Sequence, residues 1–269
     1  MRHPPTLYKY RAFNNYALRL LSENEVFFSA PNRLNDPRNC RLPLLYEKGP
    51  LKQMYNKNLE NLKYVAAYLS RKERKKEAER MAKIMYANRD DPARREEFRK
   101  SIAENMNKTV GILSLSAVNN NPLMWSHYAD SQSGFCVGFD TQELLRLVDK
   151  VTWQKIFILF ENVTYYHEMP QINPYKMNDE EVFRAMVFSK SNHWAYEEEY
   201  RLMCADRPDF TLALNSNIIS NVLLGPNCSQ ENEQKAIEIL KFRGDNILLF
   251  KAVHRDIEYE ISFEQMKYT

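Results

Sequence analysis

The segment Trp194-Ala-Tyr-Glu-Glu-Glu-Tyr-Arg201 holds the residues of this sequence with the clearest chemical potential. Its β-forming residues predict a strand, in which alternate side chains lie on the same face. Glu197, Glu199 and Arg201 are therefore expected to point the same way. Two carboxylates this close repel each other, and the pKa of one rises unless a cation or a ligand lies between them. The spacing fits either an acid–base site or a solvated ladder of Glu and Arg side chains.

The composition is ordinary for a soluble globular protein. The chain has 269 residues, of which 44% are hydrophobic and 27% are charged, and its formal net charge is +3. Such a small charge predicts neither nucleic-acid nor membrane binding. No signal peptide is apparent and no apolar run is long enough to span a bilayer, so we expect a cytoplasmic protein without a membrane partner.

Glycine, cysteine and histidine patterns argue against several familiar kinds of site. The 6 glycines form no Gly-x-Gly-x-x-Gly or phosphate-loop motif, so the common dinucleotide-binding fold is a poor candidate. The 4 cysteines are widely separated and are expected to be free thiols. The 5 histidines lack metal-ligand spacing, and no metal site is predicted. A hydrolase motif such as Gly-x-Ser-x-Gly does not occur either.

Strands and helices follow one another irregularly along the chain. Strands are predicted at 7–11, 25–30, 112–116, 134–139, 156–166, 218–224, 247–253 and 257–263. Capping residues predict helices that begin near Asn15, Asn121, Asp140 or Thr141, Asn178 and Ser229. Because regular βαβ alternation is lacking, we predict an α+β fold with a curved or split, mostly antiparallel sheet.

Residues 50–108 differ in character from the rest of the chain. Apolar positions recur there at helical spacing, and Arg71–Arg80 is almost entirely charged. We interpret this region as a helical insertion within a single α+β domain that spans residues 1–269. Its charge run is either a solvated helix face or an RNA-binding surface.

Four segments together resemble one bacterial family, the domain-of-unknown-function 2971 family. They are Leu7-Tyr-Lys-Tyr-Arg11, Phe28-Ser-Ala-Pro-Asn-Arg-Leu-Asn-Asp-Pro37, Pro122-Leu-Met-Trp-Ser-His-Tyr-Ala129 with Gly134-Phe-Cys-Val-Gly-Phe-Asp140, and Ser189-Lys-Ser-Asn-His-Trp-Ala-Tyr-Glu-Glu-Glu-Tyr-Arg201. The resemblance runs from about residue 7 to residue 263 and is weakest in the helical insertion. Arg38 departs from the family, which usually has an aromatic residue there. Relatives look like components of abortive-infection systems, which implies a role in defence against phage.

The layout of this family is similar to that of the ADP-ribosyltransferase superfamily. Both have an early strand with a basic or aromatic residue, then a helix, a second strand with Ser and a late strand with Glu-x-Glu. The resemblance implies an ADP-ribosyltransferase-like fold, in which a split sheet grips NAD in a cleft. It also implies that NAD is a substrate. The protein would transfer ADP-ribose from NAD to a protein or nucleic-acid acceptor, or it would hydrolyse NAD.

This second resemblance assigns roles to the glutamates and to the early strands. Cleavage of the nicotinamide–ribose bond builds positive charge on the ribose, which Glu199 would stabilise. Glu197 would orient or deprotonate the acceptor. Lys9 and Arg11 lie two apart on a strand, and they would hold the diphosphate or be plain surface charges. Ser29 is the small hydroxyl expected on the second strand.

Further candidates for contact with the substrate lie in loops, on a short helix and beside the glutamates. They are Asn35, Asp36, Trp125, His127, Tyr128, Trp194 and Arg201. The asparagine and aspartate either contact a ligand or close a turn. The aromatic residues on the short helix either stack on a base or on nicotinamide, or belong to the core. The arginine either binds the ligand or neutralises both glutamates.

Two other classes of function stay open at this point. A non-catalytic binding module, such as an antitoxin or a sensor of a nucleotide or nucleic acid, would use the aromatic cluster and the basic residues. A nuclease would hold Mg²⁺ with Asp36, Glu197 and Glu199, provided that these residues meet in space. Convergence of the basic, hydroxyl, aromatic and acidic candidates on one cleft would favour catalysis.

Overall fold

The structure, a computed structural model, describes residues 3–43, 50–88, 91–153, 158–173, 176–256 and 259–268. The chain divides into two compact units. The first comprises Met1–Asn35, Asn107–His167 and Lys190–Thr269, and the second comprises Asp36–Met106 and Glu168–Ser189. Nearly all of the predicted helical insertion therefore belongs to the second unit.

Strands and helices are numbered separately along the chain. The strands are β1 (Thr6–Arg11), β2 (Glu25–Phe28), β3 (Val110–Ser116), β4 (Phe135–Asp140), β5 (Ile158–Asn162), β6 (Thr164–Tyr166), β7 (Ser189–Ser191), β8 (Glu199–Ala205), β9 (Phe210–Ala213), β10 (Ile219–Leu224), β11 (Leu248–Val253) and β12 (Ser262–Met266). The helices are α1 (Asn15–Ser22), α2 (Leu51–Val65), α3 (Arg71–Ala87), α4 (Pro92–Thr109), α5 (Pro122–Tyr128), α6 (Thr141–Trp153), α7 (Asp179–Phe188) and α8 (Gln230–Arg243). Short 3-10 helices cover Pro31–Arg33, Asn192–Glu197 and Ser216–Ile218.

A large sheet organises the first unit. Its strand order is β12-β11-β10-β4-β1-β3-β8-β5. Neighbouring strands run antiparallel, except β10 and β11, which are parallel and are joined through α8. The prediction of an α+β fold with a mostly antiparallel sheet is therefore confirmed. The parallel unit β10–α8–β11 was not predicted, although Ser229 was correctly predicted to cap α8.

The central strands are apolar because both faces of the sheet are covered. Alternate residues of β4 belong to two different clusters of buried side chains. Phe135 and Val137 pack with Leu7 in one cluster, whereas Cys136 packs with Trp125 in the other. β1 lies between β4 and β3, so residues of β1 and β3 are held in fixed register, with Tyr8 opposite Ser116.

Three sequence predictions about strands need correction. The predicted strand at 156–166 is interrupted at Val163, which separates β5 from β6. The last predicted strand begins later, at Ser262, and residues 257–258 lie outside the described part of the chain. β9 was missed, because a strand of four residues that alternate between half-buried and exposed gives a weak pattern, yet it pairs with β2. The cap of α1 is Asn14, one residue earlier than predicted.

The second unit is built from helices. α2 and α3 pack around a small cluster of Leu62, Ala66 and Ala78. α3 begins with a capping box of Ser70 and Glu73, and α7 begins with the predicted box of Asn178 and Glu181. Within the described ranges, no helix of the protein is both long enough and apolar enough to cross a membrane.

Gly134, just before β4, allows the backbone to approach the end of β1 closely. A Cβ atom at this position would lie 2.2 Å from the carbonyl oxygen of Arg11 and 2.9 Å from that of Ala129. We expect Gly134→Ala to lower the free energy of unfolding by about 1–3 kcal/mol, because the backbone must shift to relieve the overlap. Urea denaturation measures this change.

A matched control is Gly244→Asn. Gly244 ends α8 with a φ of 70°, which asparagine tolerates, and a Cβ there meets no atom within 4 Å. Equal losses of stability in the two variants would contradict the prediction that the close backbone approach is the reason for glycine at position 134.

Candidate functional site

The segment around the two glutamates is not one continuous strand. Asn192–Glu197 forms a 3-10 helix, Glu198 has a positive φ of 42°, and β8 begins only at Glu199. The prediction of a strand from Trp194 onward is therefore wrong for its first half. The Ser191 side chain caps this short helix by accepting from the His193 N–H, which favours a turn over an extended chain.

The two carboxylates nevertheless converge, because Lys190 of β7 lies between them. Its ammonium group donates to Glu197 Oε2, and its Nζ lies 3.0 Å from Glu199 Oε2. Arg201 approaches Glu199 from the other side, with Nε 2.7 Å from Oε1 and a second guanidinium nitrogen 3.0 Å from Oε2. All four side chains are buried. The centre of the site is thus a buried network of two cations and two anions.

This network sets the ionisation of Glu199. Burial by itself would raise the pKa of the carboxyl group, but Arg201 and Lys190, together with a hydrogen bond from Ser114, lower the pKa to about 2. The sequence predicted that repulsion within the close pair raises the pKa of one of the two carboxylates. For Glu199 the neighbouring cations outweigh that repulsion. Glu199 is therefore a fixed negative charge at any physiological pH.

A chain of hydrogen bonds extends this network to Asn35. The Tyr128 hydroxyl donates to Glu197 Oε1 at 2.6 Å, and the Asn35 side-chain amide donates to the same hydroxyl oxygen. Burial and the neighbouring Glu197 raise the pKa of Tyr128, so its hydroxyl stays protonated at neutral pH. Tyr128 is consequently a permanent hydrogen-bond donor beside the carboxylate.

A cavity of about 230 Å³ lies against this chain of polar groups. Its wall is formed mainly by residues of β1, β3 and α5. The sequence-predicted residues that line it are Lys9, Arg11, Asn35, His127, Tyr128, Glu197 and Glu199. Basic, aromatic and acidic candidates from distant parts of the sequence therefore meet in one place.

Lys9 and Arg11 bring positive charge to the cavity wall. The ammonium group of Lys9 donates to the carbonyl oxygen of Ser114 at 2.6 Å, and burial, reinforced by Arg11, lowers its pKa to about 7. Burial also lowers the pKa of Arg11. No hydrogen bond or ion pair engages the Arg11 guanidinium within the described residues. Arg11 is thus a partly buried cation whose hydrogen-bonding groups are open to an anion.

Three other predicted residues make contacts within the fold and do not line the cavity. Ser29 pairs through its backbone with Ile112 and does not line the cavity. Asp36 belongs to the second unit, where its carboxylate accepts from the Arg38 N–H and closes a turn. Trp125 is fully buried, and its indole nitrogen donates to the Asn119 carbonyl oxygen.

Trp194 and Arg201 support the network from outside the cavity wall. The ring of Trp194 lies beside Lys190, whose Nζ is 5.1 Å from the ring centroid, as in a cation–π contact. Arg201 is fully buried and pairs with Glu199, whereas Lys190, and not Arg201 as predicted, is the cation that pairs with Glu197. Neither side chain lines the cavity, so neither is positioned to contact a ligand there.

Sequence reasoning missed the roles of Lys190, Ser114 and Ser116. Ser114 holds both Glu199, through its hydroxyl, and Lys9, through its carbonyl oxygen. The Ser116 hydroxyl donates to the backbone oxygen of Glu197 at 2.6 Å. Two serines at alternate positions of an otherwise apolar strand were a usable signal. A lysine two positions after the buried end of α7 was another.

The surroundings of the two carboxylates do not favour metal ligation. In the part of the chain that the structure describes, no group of three or more His, Cys, Asp or Glu side chains is arranged to hold a metal ion. Glu197 and Glu199 have cations as their neighbours, which reduces the charge that they would offer to a metal.

Comparison with known proteins supports a family resemblance for part of the chain. A family model described as "Protein of unknown function (DUF2971)" matches residues 124–202. These residues include Tyr128, Lys190 and both glutamates of the network. The match bears out the resemblance to this family, which the four motifs indicated, over residues 124–202. Searches of curated proteins and of solved structures found no match, so the resemblance to ADP-ribosyltransferases stays a prediction.

Proposed function

We propose that the cavity binds a phosphate-bearing nucleotide, with NAD as the candidate, and that the protein cleaves the nicotinamide–ribose bond. The observation that supports binding is the Arg11 guanidinium on the cavity wall, which has no anionic partner among the described residues. Guanidinium groups match phosphate oxygens bidentately, and an unpaired buried cation gains most from such a partner.

The balance of charge around the cavity supports the same class of ligand. Lys9, Arg11 and Lys190 line the wall against two carboxylates, and Arg201 lies behind Glu199. Four cations thus face two anions while the amine of Lys9 is protonated. A phosphate group would offset part of this excess, and the Tyr128 hydroxyl is placed to bond an adjacent ribose.

The size of the cavity limits how much of the ligand it encloses. A volume of about 230 Å³ lies below the roughly 300–1,000 Å³ of typical small-molecule sites. We therefore propose that one end of the dinucleotide enters, namely a phosphate and the nicotinamide ribose, while the remainder lies outside.

In the proposed reaction, the electron pair of the N-glycosidic bond leaves with nicotinamide and positive charge develops on the ribose. Glu199, ionised because its pKa is about 2, supplies a fixed negative charge nearby. Water or another acceptor then bonds to the ribose carbon, and its proton passes to Glu197. The Tyr128 hydroxyl, which donates to Glu197, orients that carboxylate.

Nicotinamide release from NAD by the purified protein tests this proposal. Glu197→Gln removes the proton acceptor, and we expect turnover to fall by about a hundredfold or more. Glu198→Gln is the matched control, because Glu198 is the exposed neighbour of the same type and should keep full activity. Glu199→Gln is a poorer test, since Arg201 would lose its buried partner and the fold would suffer.

Two outcomes would contradict the proposal. The first is that the parent protein releases no nicotinamide, with water or with added protein or nucleic-acid acceptors. The second is that Glu197→Gln and Glu198→Gln are equally active. A role in phage defence rests on the family resemblance alone.

Lys9 should make ligand binding pH-dependent. Its pKa of about 7 means that the amine is charged below neutral pH and uncharged above it. We expect affinity for NAD to fall as pH rises through about 7, since the cation that attracts phosphate is lost there. Titration calorimetry across this range should show the fall in the parent and a flatter profile in Lys9→Met. A parent profile as flat as that of Lys9→Met would contradict the assignment.

The amine of Lys9 also makes stability depend on pH, and here the expected change is a rise with pH and not a fall. Because the pKa in the folded state is lower than the ordinary value of 10.5, the unfolded chain binds more protons between these values. The free energy of unfolding of the ligand-free protein should therefore rise with pH above about 7, and less so in Lys9→Met.

A second candidate function is a nucleotide sensor without catalysis. Each carboxylate oxygen of Glu197 and Glu199 already has a protein partner, which suits a rigid binding site as well as a reactive one. A single experiment, incubation of the protein with NAD, distinguishes the two functions. A sensor would bind NAD with the same dependence on Arg11 and would return the dinucleotide intact.

A further inference from the structure

The second unit contains an open groove between α2 and α3, with a volume of about 820 Å³. Its apolar residues are Leu51, Tyr55 and Ala82. The groove is also lined by lysines, namely Lys52, Lys72, Lys75, Lys76 and Lys83, and by one acidic residue, Glu79. An apolar surface edged by cations is therefore present far from the glutamates in sequence.

Most of this positive charge is not neutralised. Glu79 pairs with Lys83 at 2.7 Å. No ion pair or hydrogen bond within the described ranges engages the side chains of Lys52, Lys72, Lys75 and Lys76. Elsewhere on the same helices the arrangement differs, as in the pairs of Arg80 with Glu77 and of Lys63 with Glu60. In the described part of the chain, the groove therefore carries four unpaired lysines, namely Lys52, Lys72, Lys75 and Lys76.

The lysines of α3 lie in a row along one side of that helix. Lys72, Lys75 and Lys76 are three and four positions apart, so they share a face. With a rise of about 1.5 Å per residue, the row from Lys72 to Lys83 is roughly 16 Å long. Several consecutive phosphates of a nucleic-acid strand, spaced about 3.4 Å along a helical strand, fit this length.

An aromatic side chain favours a nucleic acid over an acidic protein as the occupant. Tyr55 lines the groove among the lysines and is half-buried. An aromatic ring in a basic groove provides a stacking surface for a base, whereas acidic side chains have no flat face to stack on it.

We propose that the groove between α2 and α3 binds single-stranded nucleic acid, with its lysines on the phosphates and Tyr55 against a base. This binding is sequence-tolerant, since every contact is to the backbone or to the face of a base. It is independent of the NAD-cleaving proposal, because it uses other residues in another unit.

Fluorescence anisotropy with a short labelled single-stranded RNA of mixed sequence, and with the matching DNA, tests the proposal. The test variant is K72Q/K75Q/K76Q in the full chain. We expect its affinity to fall about tenfold or more, and the slope of log affinity against log salt to decrease by about 2, as three lost phosphate contacts predict. Tyr55→Leu should weaken binding by about fivefold or more through lost stacking, with an unchanged salt slope.

The control variant is K63Q/K100Q/K108Q, which removes the same charge from exposed positions outside the groove. Binding within about twofold of the parent is expected, because the phosphate contacts are kept. Equal losses in the two triple variants would overturn the proposal by showing that only net charge matters. So would failure of the parent to bind either strand, or equally tight binding of poly-glutamate. Circular dichroism of each variant separates lost contacts from lost helices.

Discussion

Lys190→Met is expected to lower the free energy of unfolding by about 3–5 kcal/mol, one of the largest effects available at a single position of this chain. The substitution keeps the volume of the side chain but removes its charge. Glu197 and Glu199 would then face each other inside the protein, with Arg201 as the only nearby cation of the network. Urea denaturation of the variant and the parent measures the loss.

The control for this prediction is Lys251→Met. Lys251 also pairs with a glutamate, Glu233, at 3.0 Å, but both side chains are partly exposed to water. Its loss should cost much less, because solvent already screens this pair. Similar losses in the two variants, or unchanged stability of Lys190→Met, would show that the buried network is not what holds the site together.

Arg11→Met is expected to abolish most of the affinity for NAD while leaving the fold intact. The guanidinium has no partner in the described part of the chain whose loss would destabilise the protein. Charge-assisted hydrogen bonds to phosphate contribute about 1.5–3 kcal/mol, so a loss of roughly tenfold to a hundredfold in affinity should follow. Titration calorimetry measures the affinity, and thermal unfolding shows whether the fold is kept.

Arg19→Met provides the matched control. Arg19 lies on α1 in the same unit and is exposed, paired with Glu23 and Glu25. It should leave affinity for NAD unchanged. If Arg11→Met binds NAD as tightly as Arg19→Met does, the cavity is not the nucleotide site.

Much of the fold was predictable because its signals are local. The alternation of residues 7–11 predicted β1, and the capping residues Asn178 and Ser229 predicted the starts of α7 and α8. The strands most poorly predicted are those whose bounds depend on pairing partners. β9 is an example, since its four residues form a strand only against β2.

The candidate site was predictable in its residue types but not in its arrangement. Lys9, Arg11, Tyr128 and the two glutamates were recognised as chemically competent, and they line one cavity. Their distances depend on contacts between residues far apart in sequence, which local patterns do not encode. The bond between Lys9 and Ser114 spans 105 positions.

Lys190 illustrates the same limit. Its sequence neighbours are two serines, and nothing local reveals that the chain turns back through a 3-10 helix and a left-handed residue at Glu198. That turn places both carboxylates against one ammonium group. Consequently the lowered pKa of Glu199 could not be predicted from the sequence, although the residue itself was identified.

The most direct test of the proposed site is a crystal structure of the protein with NAD. The account predicts electron density for a phosphate group within hydrogen-bonding distance of the Arg11 guanidinium, and for a ribose beside Tyr128 and Glu197. Nicotinamide missing from that density would indicate that cleavage had occurred. Density for the nucleotide at another surface, with an unoccupied cavity beside Arg11, would contradict the account.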